Sequence, residues 1–418
     1  MGGVDAIIAT YASSSDCYRR EDRHYLVFHE FEIGNLCLPE FLMRADSLKT
    51  TSSPSLSRLL LAVIVVFITI DAVIWYTAKT TSLLADVVDI QTPATLYAKL
   101  DYLRVLRGHR IVFVGDSVVY GRRMKEAGDA NWRQHTIPAH VERILHDRFP
   151  QQPFSIMNLA LNGALPADIE HVVRLLSPLK PDCIVADISL RAFSTDFSRE
   201  SDRYSRPWLP TMDVDSSFNL HNDNTRQTWN LRIENNLQDF ALSHWRLYRM
   251  RDFFQWRVFD GEPSSVIKRL RDWLDHRLGK PPAETDPLDD ILLAIKAKNR
   301  YGTVTLADDN PQVIALKRTL DRLASNTQCA IFFYATEEKK QLASMMDAQR
   351  YKQLQDALAA IFLPYRNRGI LFLPPLPDIG KEYYLDYGHL NDAGNAIVAK
   401  NIVDNGLIRS VPRLRKEP

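Results

Sequence analysis

The sequence predicts an α/β domain on a parallel sheet, placed behind one membrane-spanning helix and interrupted by a mostly helical insertion. Three observations predict it. Apolar runs rich in β-branched and aromatic residues, at Ile111–Val114, Phe154–Leu159, Cys183–Ile188, Cys329–Tyr334 and Ile370–Leu373, alternate with helical patterns, as parallel strands joined by crossover helices do. Residues Leu59–Tyr76 are apolar almost throughout. From 198 to 305 the strand–helix rhythm stops, and five of the seven tryptophans gather there.

Taken in order, residues 1–57 form a tail without periodicity. It contains the mixed cluster Arg19-Arg20-Glu21-Asp22-Arg23-His24, and Met43 reads as the more natural start. A signal anchor follows at 58–78. The eighteen residues LLLAVIVVFITIDAVIWY are about the minimum for a hydrocarbon core, with Trp75 and Tyr76 suited to one interface. Asp71 lies toward that end, where a charge costs less than the about 2.5–3.5 kcal/mol of the bilayer centre. A soluble core helix would show a polar face, which this run lacks. Tyr76-Thr77-Ala78 offers no cleavage site, so the span is expected to stay uncleaved. Arg44, Lys49 and Arg58 precede it, against Lys79, Asp86 and Asp89 after it, which puts the N-terminus in the cytoplasm. Everything beyond the linker at 79–107 is then periplasmic or extracellular.

The domain at 108–410 carries the chemistry. After the strand Ile111–Val114 comes Gly115-Asp116-Ser117, and glycine lets the backbone turn sharply enough to present Ser117 at the strand's carboxyl edge. Near the other end, Asp386-Tyr387-Gly388-His389 supplies a base and an orienting acid at the mouth of the last helix. A strand ahead, a glycine behind at Gly121, and the order Ser, Asp, His make the two motifs more telling together than either alone.

These two motifs resemble the first and last blocks of the SGNH (GDSL-type) hydrolase family, over roughly residues 108–197 and 306–410. The resemblance implies a three-layer α/β/α sandwich. It also implies Ser117 as nucleophile, His389 as base, Asp386 as acid, and the backbone N–H groups of Ser117 and Gly163 in an oxyanion hole, with no metal or organic cofactor. The third block departs from the family. The chain reads Ser189-Leu190-Arg191, with leucine where the family has an asparagine donor. Loss of one oxyanion donor costs about 10²–10³ in rate. The Ser189 hydroxyl or the Arg191 guanidinium is the candidate replacement, and an ion pair of Arg191 with Asp196 is the alternative.

The anchored layout is similar to that of SGNH-like proteins of bacterial envelope acylation, including alginate O-acetylation proteins and the D-alanyl transfer protein of lipoteichoic acid. It differs from the alginate proteins in keeping the serine early and the Asp–His pair late. The resemblance implies a serine esterase or O-acyltransferase acting on acyl esters, acetyl first, of an envelope or extracellular glycan, with a multi-pass membrane acyltransferase as an implied partner. An envelope lipase or thioesterase is one alternative. A degenerate scaffold that binds polymer or the partner acyltransferase is the other, on the strength of Leu190.

In the insertion at 198–305, Trp245, Trp256 and Trp273 recur with Leu237 and Phe240 at helical spacing and read as core, whereas Trp208 and Trp229 lie in a polar loop and are the candidates for stacking on a sugar. Cys183 and Cys329 sit inside apolar strands and read as buried thiols; no cysteine has zinc-ligand spacing. A net charge of +1 without a basic stripe argues against nucleic acid as a partner.

Overall fold

The computed structural model describes residues 56–80, 93–196, 298–326, 329–377 and 379–411, with a few further positions between 237 and 250. Most of the insertion expected at 198–305 to be mostly helical, including Trp208, Trp229, Trp256 and Trp273, lies outside them.

Five strands form one parallel sheet: β1 (His109–Val114), β2 (Phe154–Asn158), β3 (Cys183–Ile188), β4 (Ala330–Tyr334) and β5 (Ile370–Leu373), in the order β2-β1-β3-β4-β5. The chain first builds outward from β1 to β2, then reverses to the other side of β1. The carboxyl ends of β1 and β3 therefore flank the point where the crossovers diverge, the place where open α/β sheets bind ligands.

Strand alternation sends successive residues to opposite faces, and each face is covered by helices. On one side Val112, Val114, Ile184, Ala186 and Phe332 pack with α2 (Pro93–Leu103), α6 (Pro166–Leu176), α7 (Pro311–Asn326) and α9 (Ala348–Phe362). On the other, Ile111, Phe113, Val185, Ile331 and Phe333 pack with α5 (Ile137–Arg148) and α10 (Asp392–Asn401). The fold is thus the expected three-layer α/β/α sandwich. Each fully buried aliphatic side chain stabilises it by about 1.5–3 kcal/mol. Local signals set the helix starts: Thr136 accepts from the Ala139 N–H at the head of α5, and Asn310 accepts from the Gln312 N–H ahead of Pro311.

Helix α1 (Leu56–Thr80) contains the apolar run and is, among the described residues, the one helix long and apolar enough to cross a membrane.

Two expectations are corrected. Cys183 and Cys329 are joined by a disulfide, with Cα atoms 4.6 Å apart and 146 residues of chain between them. Ile184 pairs with Ala330, so the two preceding cysteines stand opposite each other on adjacent strands, within bridging reach. That register could not be read from either strand alone. In the insertion, Leu237, Phe240 and Trp245, expected in a core, are 63%, 61% and 56% exposed. Helical spacing identifies a face but not what covers it.

Candidate active site

The site grows from the end of β1. Gly115 is required there, because a Cβ would stand 1.9 Å from Asp187 Oδ1 on the neighbouring strand. The Asp116 N–H donates to that same Asp187 oxygen at 3.0 Å, and Asp116 Oδ1 accepts from the Val118 N–H at 2.7 Å. Asp116 thereby caps α3 (Ser117–Tyr120), whose first residue is Ser117. Val118, Val119 and Tyr120 are buried, so the short helix is pinned by its own apolar residues.

Ser117 Oγ lies 2.8 Å from His389 Nε2. His389 comes from a tight loop between β5 and α10, closed by the bond from the Leu385 N–H to the His389 carbonyl. Within it Asp386 Oδ1 accepts from the Gly388 and His389 N–H groups, both at 2.9 Å. This Asx-type turn also aims the carboxylate at the ring: His389 Nδ1 lies 2.8 Å from Oδ1 and 2.9 Å from Oδ2. Burial alone would raise the Asp386 carboxyl, but His389, the Gly388 amide and Arg123 overcome it and hold it well below the usual range. The structure thus brings Ser117, His389 and Asp386 into one hydrogen-bonded chain at the carboxyl edge of the sheet.

The other sequence candidates divide. Gly163 sits at φ +67° in the turn after β2, and that turn is tied to the serine turn by the bond from the Leu161 N–H to the Gly115 carbonyl, 2.8 Å. Leu190 is fully buried in the α6–α7 side of the core. Ser189 Oγ is buried away from solvent and has no hydrogen-bond partner among the described residues. Arg191 is not paired with Asp196; its Nη2 donates to Asp116 Oδ2 at 2.7 Å, in a pair only 6% and 8% exposed. Nη1 lies 2.9 Å from where a side chain on Gly388 would begin, so the guanidinium reaches from the serine turn to the histidine loop.

Sequence reasoning missed three features. Burial and the adjacent Asp116 charge raise the Asp187 carboxyl well above its usual value, whereas Arg191, outweighing burial, holds Asp116 at about 2. Glu337, just past β4, accepts from Tyr351 Oη at 2.7 Å, Tyr301 Oη at 3.1 Å and Tyr334 Oη at 3.2 Å, a buried knot joining the end of the insertion to the sheet edge. Arg123 Nε, in α4 (Arg122–Glu126), donates to Asp386 Oδ2 at 2.9 Å. Only the position of Arg123 shortly after the serine turn hinted at a role.

Neither a scan of family models nor a search of curated proteins gives a match. Among solved structures, LAE5, an alpha/beta hydrolase enzyme from the metagenome of Lake Arreo, Spain, is similar at 14% identity, over 75% of this chain and 99% of that one, with a TM-score of 0.34. A mutant of Axe2, an acetyl-xylooligosaccharide esterase from Geobacillus Stearmophilus, is similar at 12% identity, over 74% of this chain and 96% of that one, also with a TM-score of 0.34.

Proposed function

We propose that the chain is a membrane-anchored serine esterase or O-acyltransferase of SGNH type, acting on acyl esters outside the cytoplasm. The observation that carries the proposal is the chain Ser117 Oγ, His389 Nε2, Nδ1, Asp386, with each link at 2.8–2.9 Å. A serine hydroxyl is a poor nucleophile until a base takes its proton in the attack, and a base so oriented does that. Ser117 Oγ attacks the acyl carbonyl while its proton passes to Nε2, and Asp386 stabilises the imidazolium. The tetrahedral oxyanion is held by the Ser117 and Gly163 N–H groups. His389 then protonates the leaving alkoxide. Water or a sugar hydroxyl, deprotonated by the same imidazole, attacks the acyl-enzyme and releases Ser117.

An acetylated envelope or extracellular glycan is the substrate class favoured by the anchored layout, and a multi-pass membrane acyltransferase is the partner. The disulfide supports the extracytoplasmic placement, since such bridges form and persist in oxidising compartments. So does the excess of Arg and Lys ahead of the span.

Two experiments test the proposal. The full chain in detergent should react with a fluorophosphonate probe, and Ser117→Ala should abolish the labelling; a silent wild-type protein would favour the scaffold reading suggested by Leu190. Alkaline phosphatase fused after Pro418 should be active in cells, and activity of a cytoplasmic reporter alone at that point would overturn the topology.

A further inference from the structure

Asp386 has donors on both oxygens. Oδ1 is fixed by the Gly388 and His389 N–H groups, while Oδ2 is met, apart from the ring itself, by Arg123 Nε at 2.9 Å. Arg123 is in turn held by Glu126 Oε2 through Nη1 at 2.8 Å. Taking Ser117, His389 and Asp386 as the catalytic unit proposed above, we infer that Arg123 is a positioning residue, which keeps the Asp386 carboxylate aligned with the imidazole and offsets part of its charge.

The argument is geometric first. Two amides hold Oδ1, whereas Oδ2 is met otherwise only by the shared imidazole Nδ1, so a donor of its own sharpens the carboxylate's orientation. A guanidinium Nε supplies it with a charge-assisted bond. The electrostatic part follows from sign. An unopposed carboxylate stabilises imidazolium and keeps the base protonated; a cation on its far oxygen weakens that pull. Exposure decides how much survives screening: Asp386 and His389 side chains are 18% and 13% exposed, and Arg123 is 36% exposed, so the effect is modest but not lost to solvent.

The other charged groups around the loop do not substitute for it. Arg191 approaches Gly388 but is committed to Asp116. Asp187 lies beneath the serine turn, and burial together with the Asp116 charge favours its neutral form. Glu337 is enclosed by three tyrosine hydroxyls, and Glu338 caps α8 (Lys339–Ala343) through the Lys340 and Gln341 N–H groups. Glu126 pairs with Arg123 itself, on Nη1.

The test uses the full chain in detergent and compares wild type, Arg123→Met and Arg123→Lys. The rate of fluorophosphonate labelling is followed from pH 5 to 9, and the His389 titration is followed separately by NMR of 13C-labelled histidine, assigned with His389→Gln. Arg123→Met should label about three- to tenfold more slowly near pH 6, with the acid limb and the histidine midpoint both displaced upward relative to wild type. Arg123→Lys should return the limb to its wild-type position, because it keeps the charge, while recovering only part of the rate. The displacement should shrink at 1 M salt, where screening acts within about 3 Å. An unmoved midpoint in Arg123→Met, or a rate loss equal at every pH and untouched by lysine, would overturn the role of Arg123. A wild-type protein that never labels but shows the midpoint shift would instead sink the hydrolytic reading and leave the positioning role standing.

Discussion

On the serine side of the site the chain buries three ionisable groups, Asp116, Asp187 and Arg191, with the paired Asp116 and Arg191 side chains 8% and 6% exposed, while on the histidine side the Asp386 and Arg123 side chains stay 18% and 36% exposed. The difference follows from position. Asp116 stands in the turn that leaves the inner strand β1 and Asp187 lies on the inner strand β3, with helices over both faces, whereas Asp386 sits in a rim loop held by its own backbone. A charge in the sheet interior must be paired or neutralised, because solvent cannot stabilise it there. A charge on the rim can be tuned at little cost to the fold. Changes on the inner side should therefore appear first as lost stability, and changes on the rim as lost rate.

The largest effect should come from the two residues in direct contact. Ser117→Ala and His389→Ala should each lower turnover of an acetyl ester by about 10⁴–10⁶, and the double variant should be scarcely worse than either, since the serine is inert without its base. Additive losses in the double variant would show that the two do not act as a unit. Asp386→Asn comes next, with a rate loss of about 10⁴ through the wrong imidazole tautomer and a Tm close to wild type. A Tm collapse in that variant would erase the contrast with the inner side.

Arg191→Met sharpens the same contrast from within. It leaves the Asp116 carboxylate buried without its cation, at a cost of about 3–5 kcal/mol in chemical denaturation. Normal stability with lost turnover would instead place the guanidinium in the oxyanion hole. Replacing Cys183 and Cys329 together by alanine should cost about 2–5 kcal/mol by freeing the long loop that the bridge closes, with labelling of Ser117 retained below the lowered Tm.

The smallest effect tests Asp187. Its folded carboxyl is raised by burial and by Asp116, so its contribution to stability is full below the unfolded value and is lost as pH rises. Asp187→Asn keeps the acceptor for the Asp116 N–H and removes the titration. It should raise Tm at pH 7, with the gain disappearing near pH 3. Asp116 has the opposite sign: lowered to about 2, it stabilises above about pH 4 and loses that contribution as pH falls toward 2. Asp116→Asn should therefore flatten the acid side of the stability curve, as read by Tm between pH 4 and 2.

The sequence by itself determined the features that depend on near neighbours along the chain. The five apolar runs announced the strands, and β-branched residues bounded by turns have few other places to go. Gly115-Asp116-Ser117 and Asp386-Tyr387-Gly388-His389 were visible because a sharp turn and an Asx loop are made within four residues. The apolar helix Leu56–Thr80 was visible because its length and composition are local properties. The tertiary structure alone decided which strand lies beside which, and with it the Cys183–Cys329 bridge, since parallel strands are joined by crossovers and their register leaves no mark in either segment. It also decided that Arg191 turns to Asp116 instead of Asp196, that Asp187 lies under Gly115, and that Arg123 reaches Asp386 across 263 residues. Charge partners are chosen by distance and burial after the sheet has formed, and long flexible side chains can reach several candidates until packing removes all but one.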